Sequence, residues 1–380
     1  MRLAGLMAAM MMPTASPAAP VPSQATVARL AGESMASTGA KGLAIALVDR
    51  GRVVSVQAFG ERNAKGDPLT VDTIMYGASL TKMVFGYYAM MLVDDGKLKL
   101  DRPIAAMLPK PLPDYGNVDG YGHWGDLAGD ARWRTITPRH LLTHSSGFAN
   151  FSFLEPDAKL KIHFDPGTRY AYSGEGIILL QFAIEKGLGI DVGTEVSRRV
   201  FAPLGMQLTS LKWRPDFAAN LADGWDSNGK PQPHDERSRV RAAGSMDTNI
   251  SDMARFAAAM VRGWGLKPAT RTAYGAPQLA ITSRQQFPTL LPEAPPGQRW
   301  PQLAAGLGVS SCSGPAGRGL MKGGHDDITA NTMVCIDAKG RCVVILSNDV
   351  RAELAFPTLV EALLGPTGFA WPWEYPPSRK

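Results

Sequence analysis

Strand-forming sequence is confined to the two ends of this 380-residue chain, and helix-forming sequence fills its middle. Residues 43–48 form an unbroken apolar run of strand character. Asp49-Arg50-Gly51-Arg52 turns the chain, and residues 53–59 alternate as a second strand, after a helix over 24–37. The C-terminal third offers strands at 306–311, 319–322, 329–336 and 341–346, separated by Gly-rich turns. A last helix over 357–364 is closed by Gly365-Pro366. Between the two ends, segments 79–95, 138–143, 176–186, 195–201 and 251–262 carry helical patterning behind capping residues. Long loops occupy 108–134 and 215–239. Strands at the two ends must find each other, which predicts an α+β fold. An antiparallel sheet built from both chain ends is flanked by helices and interrupted by a mainly helical insertion. The expected division is a sheet domain of 24–77 plus 243–380, a helical domain of 78–242, and a site between them.

A chain of this length buries roughly 75% of its unfolded surface without needing a disulfide scaffold. Its 45% hydrophobic and 19% charged residues exclude disorder. The net charge of +6 would implicate nucleic acid only if it were clustered. The densest patch, Arg237-Ser238-Arg239-Val240-Arg241, lies beside Asp235 and Glu236 and reads as solvated surface, so no nucleic-acid partner is expected. Three cysteines, Cys312, Cys335 and Cys342, form no CxxC pair. Cys335 and Cys342 flank a turn and face one another, either as a disulfide or as two buried thiols. Met1-Arg2, an apolar stretch over 3–12 and small residues near Ser16-Pro17-Ala18 fit a secretory signal ending by about residue 23. This predicts a periplasmic or secreted protein. No later run is long and apolar enough for stable membrane insertion.

Chemistry concentrates in three places. Tyr76-Gly77-Ala78-Ser79-Leu80-Thr81-Lys82 opens a strongly apolar helix. A serine in its first turn has backbone N–H groups and the positive end of the helix dipole beside its oxygen. Lys82, three residues on, shares its helical face and can accept the serine proton or hold an anion. A second Ser-x-x-Lys, Ser227 to Lys230, lies in turn sequence and lacks helical geometry. Asp165-Pro166-Gly167-Thr168-Arg169-Tyr170-Ala171-Tyr172-Ser173-Gly174 leads into a helix beginning near Glu175 and can present a tyrosine oxygen to a cleft. Met321-Lys322-Gly323-Gly324-His325 ends a strand with a cation, open space and backbone donors.

In this order the motifs resemble those of the serine β-lactamase and penicillin-binding protein superfamily, in its class C-like branch. Ser79 and Lys82, Tyr172-Ser173-Gly174, and Lys322-Gly323-Gly324 stand where that family has Ser-x-x-Lys, Tyr-x-Asn and Lys/His-x-Gly. Ile136-Thr137-Pro138-Arg139-His140-Leu141-Leu142-Thr143-His144-Ser145-Ser146-Gly147, Pro203-Leu204-Gly205-Met206 and Ala243-Gly244-Ser245-Met246 are similar too. The resemblance runs from about residue 40 to 350. It implies Ser79 as the acylated nucleophile, Lys82 as its partner and Tyr172 as general base and acid. It further implies that Lys322 holds Tyr172 anionic and attracts a substrate carboxylate. The backbone N–H groups of Ser79 and His325 would form an oxyanion hole.

Two departures bear on substrate. Gly174 replaces the asparagine that contacts the acylamide of β-lactams, and Gly323 replaces a Thr or Ser that binds a substrate carboxylate. Both loosen recognition of carboxylated amides at the positions lined by Gly174, Gly323 and Gly324. The expected function is a serine hydrolase cleaving an ester or amide through acyl-Ser79, as a carboxylesterase or small-peptide hydrolase. A true β-lactamase or D-alanyl-D-alanine carboxypeptidase is the alternative within the class. A non-catalytic cell-wall peptide binder is the alternative outside it. The substrate is a small molecule or short peptide; neither metal nor cofactor is expected. Tyr170 is read as core, and His140 and His144 as bonding loop backbone. Glu175 either activates water or sits as a first-turn acid. His325 with Asp326 or Asp327 is the competing base arrangement or, more remotely, a metal site.

Overall fold

The computed structural model describes residues 20–375, so most of the signal-like segment lies outside the described residues. Helix α1 (Gln24–Thr38) is capped by Ser23, whose side chain accepts from the Thr26 N–H, and ends at Gly39 in the left-handed region. Strands β1 (Gly42–Asp49) and β2 (Arg52–Gly60) follow as an antiparallel hairpin. From the other end of the chain come β3 (Leu279–Ala280), β4 (Leu303–Ala305), β5 (Ser310–Gly314), β6 (Gly317–His325), β7 (Ala330–Ile336) and β8 (Arg341–Ser347). They make one eight-stranded sheet in the order β2-β1-β8-β7-β6-β5-β4-β3, with every neighbouring pair antiparallel. The join between the two chain ends is the β1–β8 ladder, in which Ala46 faces Val344.

Both faces of the sheet centre are covered, which is why β1 is apolar without interruption. Leu43, Ile45 and Leu47 pack with Val27 of α1 and with Phe356, Leu359 and Val360 of a C-terminal helix, Phe356–Leu364. Ala44, Ala46 and Val48 point the other way, to a helix at Ile250–Val261 and the central helix Leu80–Asp94. That central helix is buried on nearly every side, from Leu80 to Leu92. The core around it continues from the sheet into the insertion without a break, joining Val344 to Phe182 and Ile184. A short ladder pairing Met75 with Thr248 and Tyr76 with Asp247 ties together the start and end of the insertion. Cys335 and Cys342 stand opposite each other on β7 and β8 and are joined as a disulfide; Cys312 is a buried free thiol.

Two segments differ from expectation. Residues 306–311 are not one strand: Gly308, with φ +94°, takes the chain round a tight turn between β4 and β5. The helix expected over 195–201 is a short α-helix at Val192–Val196 that widens into a π-helical turn at Ser197–Phe201. The two long loops carry short ladders, Asn117–Val118 with Gly122–His123 and Gly224–Trp225 with Pro231–Gln232. Among the described residues no helix is long and apolar enough to cross a membrane.

Candidate active site

Ser79 stands at the head of the central helix, immediately after Ala78, whose φ of +45° is left-handed. That conformation is costly for a residue with a Cβ, and several contacts hold it. The Ala78 carbonyl accepts from both the N–H and the hydroxyl of Thr81, and Thr81 Oγ1 in turn accepts from the Met246 N–H at 3.2 Å. Gly77 N–H donates to the Met246 carbonyl, and Asn331 Nδ2 donates to the Tyr76 carbonyl. The helix head is therefore pinned to both the insertion boundary and β7.

Helical spacing brings Lys82 back to the serine, with Nζ 2.9 Å from Ser79 Oγ and bonded also to the Ala243 carbonyl. Tyr172, at the end of an extended stretch before the helix Gly174–Leu188, donates from its hydroxyl to Ser79 Oγ at 2.8 Å. Tyr170 points elsewhere, into a small core with Trp373, and its hydroxyl donates to Gln286. His144 packs against both rings, edge-on to Tyr170 at 5.8 Å. It lies closer to Tyr172, with centroids 4.5 Å apart, and Nδ1 accepts from the Ser173 N–H. Buried beside two lysines, His144 is pushed well below its usual range and stays neutral. His140 Nδ1 faces the Thr137 N–H in a capping box, so both histidines bond backbone as expected.

On β6, alternation puts Leu320, Lys322 and Gly324 toward the central helix and Met321 toward the opposite core. A Cβ at Gly324 would stand 2.8 Å from Ser79 N and 3.0 Å from Leu80 N, so only glycine lets this strand close on the helix head. Lys322 Nζ sits 4.8 Å from the centroid of the Tyr172 ring and Lys82 Nζ 5.0 Å, a cation on either lysine favouring a phenolate between them. Burial works in the other direction and pushes the Tyr172 phenol up. It also lowers Lys322 to about 8, against the raising effect of Glu374. Lys82 is driven well below the usual amine range by burial and by the Lys322 charge.

These groups open into a cavity of about 730 Å³. Four of its walls were not foreseen. Arg237, Arg239 and Arg241 line it, so the basic patch read as solvated surface is part of the site. The Arg237 guanidinium lies 3.3 Å above the Tyr76 ring centroid and within 3.9 Å of Asp247. Phe151 fills the place beside Gly174, where a Cβ would meet its ring carbons at 2.4 and 2.5 Å. Phe287 meets Tyr172 edge-on at 5.1 Å. Glu374, in a short helix at Trp371–Glu374, has Oε1 2.3 Å from where a Cβ at Gly323 would be. The basic patch was visible as charge. Phe151, Phe287 and Glu374 sit in loops and a Pro/Trp-rich tail without periodicity.

The competing arrangements are not formed. His325 Nδ1 bonds Glu353 Oε1 at 2.7 Å, which raises its pKa, and Asp326 accepts from the Ile328 and Thr329 N–H groups. Neither Asp326 nor Asp327 is the histidine's partner. Glu175 accepts from the Ser152 N–H at 3.1 Å and lines a neighbouring cavity with His123, while burial raises its carboxyl. Among the described residues, no three His, Cys, Asp or Glu side chains are grouped to hold a metal.

Comparison with known proteins agrees with this architecture. A family model described as Beta-lactamase matches residues 27–363. The chain is 29% identical over 203 residues to a lovastatin esterase of Penicillium rubens. It is 30% identical over 206 residues to a monacolin J acid methylbutanoyltransferase of Aspergillus terreus. Each match covers 46% of this chain, and 50% and 48% of the respective relatives, so the chain spans about half the length of the curated relatives it matches. The fold superposes on a D-alanine carboxypeptidase AmpC from Burkholderia cenocepacia with a TM-score of 0.70, at 19% identity over 90% of this chain and 98% of that one. A class C beta-lactamase gives 0.69 at 18% identity over 90% and 95%. With the family model spanning the sheet and the insertion alike, this chain belongs to the beta-lactamase family of serine hydrolases and acyltransferases.

Proposed function

We propose that this protein hydrolyses an ester or amide bond through an acyl-Ser79 intermediate, with small uncharged esters as its best substrates. The observation that carries this reading is the convergence of Lys82 Nζ and the Tyr172 hydroxyl on Ser79 Oγ, at 2.9 and 2.8 Å. Both lie within direct proton-transfer reach of the nucleophile. Lys82, its pKa lowered by burial and by the Lys322 charge, takes the serine proton as Oγ attacks the carbonyl carbon. The oxyanion then forms against the N–H groups of Ser79 and His325, at the helix head and the strand edge. Collapse breaks the bond to the leaving group, which takes a proton from Tyr172, and the proton that Lys82 took from the serine passes back to the phenolate directly or through a water molecule. Water, deprotonated by the same groups, attacks the acyl-enzyme and releases Ser79.

An acyl-enzyme can also pass its acyl group to an alcohol. The methylbutanoyltransferase among the relatives supports this second reading, acyl transfer by the same intermediate. Hydrolysis of β-lactams ranks behind both, because Phe151 fills the space beside Gly174. A purely binding role would not require the Ser79, Lys82, Tyr172 and Lys322 set to be complete. The deciding experiment is a rate panel of p-nitrophenyl butyrate, a chromogenic cephalosporin and a D-alanyl dipeptide, with and without an added alcohol. The ester is expected to turn over fastest. Faster turnover of the cephalosporin would reassign the enzyme as a β-lactamase, and a transfer product exceeding the free acid would make it an acyltransferase.

A further inference from the structure

The cavity holds charged groups that the acylation chemistry does not use. Arg237, Arg239 and Arg241 line it together with Asp235, Glu236 and Asp326, whereas Glu374 brings a carboxyl group in beside Gly323, next to Lys322. Glu374 is buried, and the bond from Gln286 Nε2 to its Oε2, at 2.5 Å, fixes the side chain. Its Oε1 stands where a Cβ at position 323 would be, so the absence of a side chain at Gly323 leaves it room. Gln286, Gly323 and Glu374 all line the cavity with Ser79 and Lys322. Burial raises the Glu374 carboxyl above its ordinary value, and the Lys322 charge is the foremost influence holding it toward the ionised form.

We infer that Glu374 is a specificity-determining residue that keeps anionic substrate groups away from the Lys322 end of the cavity. A substrate anion drawn toward the Lys322 ammonium would lie beside the Glu374 carboxylate, and like charges juxtaposed in a partly desolvated site repel one another. The site therefore takes uncharged acyl or leaving groups at this end. Specificity here comes from a repulsive element built into the wall rather than from an added contact. This inference rests on the acyl-Ser79 reading for its kinetic form but not for its binding form.

The test uses a matched pair of esters, 3-acetoxybenzoate and its neutral methyl ester. Both are measured on wild type, Glu374→Gln and Glu374→Ala, as kcat/KM and as dissociation constants in a Ser79→Ala background. Wild type is expected to favour the neutral ester in both measurements. Each Glu374 substitution should raise the anionic-to-neutral ratio by about tenfold or more. A wild-type preference for the anionic ester overturns the inference without recourse to any variant, as does a ratio that neither substitution moves. The binding ratio judges Glu374 even if neither ester is turned over. Absence of turnover on wild type counts instead against the hydrolase reading, so the two failures are separate.

Discussion

The hydroxyl of Tyr172 meets the hydroxyl of Ser79 at 2.8 Å across 93 residues of sequence, while Tyr170, two residues earlier, is turned into the core toward Gln286. Tyr172→Phe removes only the oxygen that faces the nucleophile, and kcat is expected to fall by roughly 10²–10⁴-fold with the fold intact. Tyr170→Phe should leave kcat in place and cost about 1 kcal/mol of stability for its lost hydrogen bond. Steady-state kinetics and thermal melts of the two variants side by side check the assignment. Equal losses of rate would contradict it.

The pH profile follows from the two lysines. Burial lowers Lys322 to about 8, so its ammonium is lost as the pH rises through that value. Lys82 lies well below the usual amine range and loses its capacity to accept a proton only as the pH falls. The profile of kcat/KM is therefore expected to be bell-shaped, with its basic limb near pH 8. Lys322→Arg replaces the titrating group by one that stays charged and should move that limb upward, even if the absolute rate drops. A basic limb unchanged by Lys322→Arg would assign it to another group.

Gly174 offers a direct test of the proposed low ranking of β-lactams among the substrates. Introducing the family asparagine by Gly174→Asn drives a side chain into the Phe151 ring, whose Cζ would lie 2.4 Å from the new Cβ. The single substitution should cost about 1–3 kcal/mol through overpacking and confer no cephalosporin turnover. Combining it with Phe151→Ala should recover part of that stability, a coupling that a double-mutant cycle of melting or denaturant data measures.

Arg237 covers Tyr76 at the cavity wall without touching the serine, its guanidinium 3.3 Å from the ring centroid. Its removal is expected to act on binding before chemistry. Arg237→Ala should lower stability by about 0.5–2 kcal/mol, the span of a cation–π contact, and raise KM with a smaller change in kcat. Arg237→Lys keeps the charge but loses the planar stack and should fall between. A loss confined to kcat would place Arg237 in the chemical step instead.

Much of this arrangement was legible in the sequence because it is written in short-range patterns. The apolar run of residues 43–48 requires cover on two faces, and it has α1 on one and the helix Ile250–Val261 on the other. Ser79 and Lys82 meet because three residues are nearly one helical turn, and Lys322 and Gly324 share a face because strands alternate. The remainder depends on tertiary encounters that leave no local signature. Glu374 reaches Gly323 from a Trp- and Pro-rich tail, and Phe151 reaches Gly174 from a loop. No spacing connects either pair. The arginines of 237–241 showed their charge but not their position, since Asp247 and Asp326 draw Arg237 inward. The strand break at Gly308 was hidden because the β4–β5 turn sits inside an apolar stretch.

Covalent acylation of Ser79 is tested most directly by intact mass spectrometry. Wild type and Ser79→Ala are each exposed to an alkyl fluorophosphonate under identical conditions. Wild type is predicted to gain one adduct, mapped by peptide analysis to Ser79, while Ser79→Ala gains none. An unmodified wild-type mass, or an equal adduct on Ser79→Ala, would contradict the acyl-enzyme mechanism.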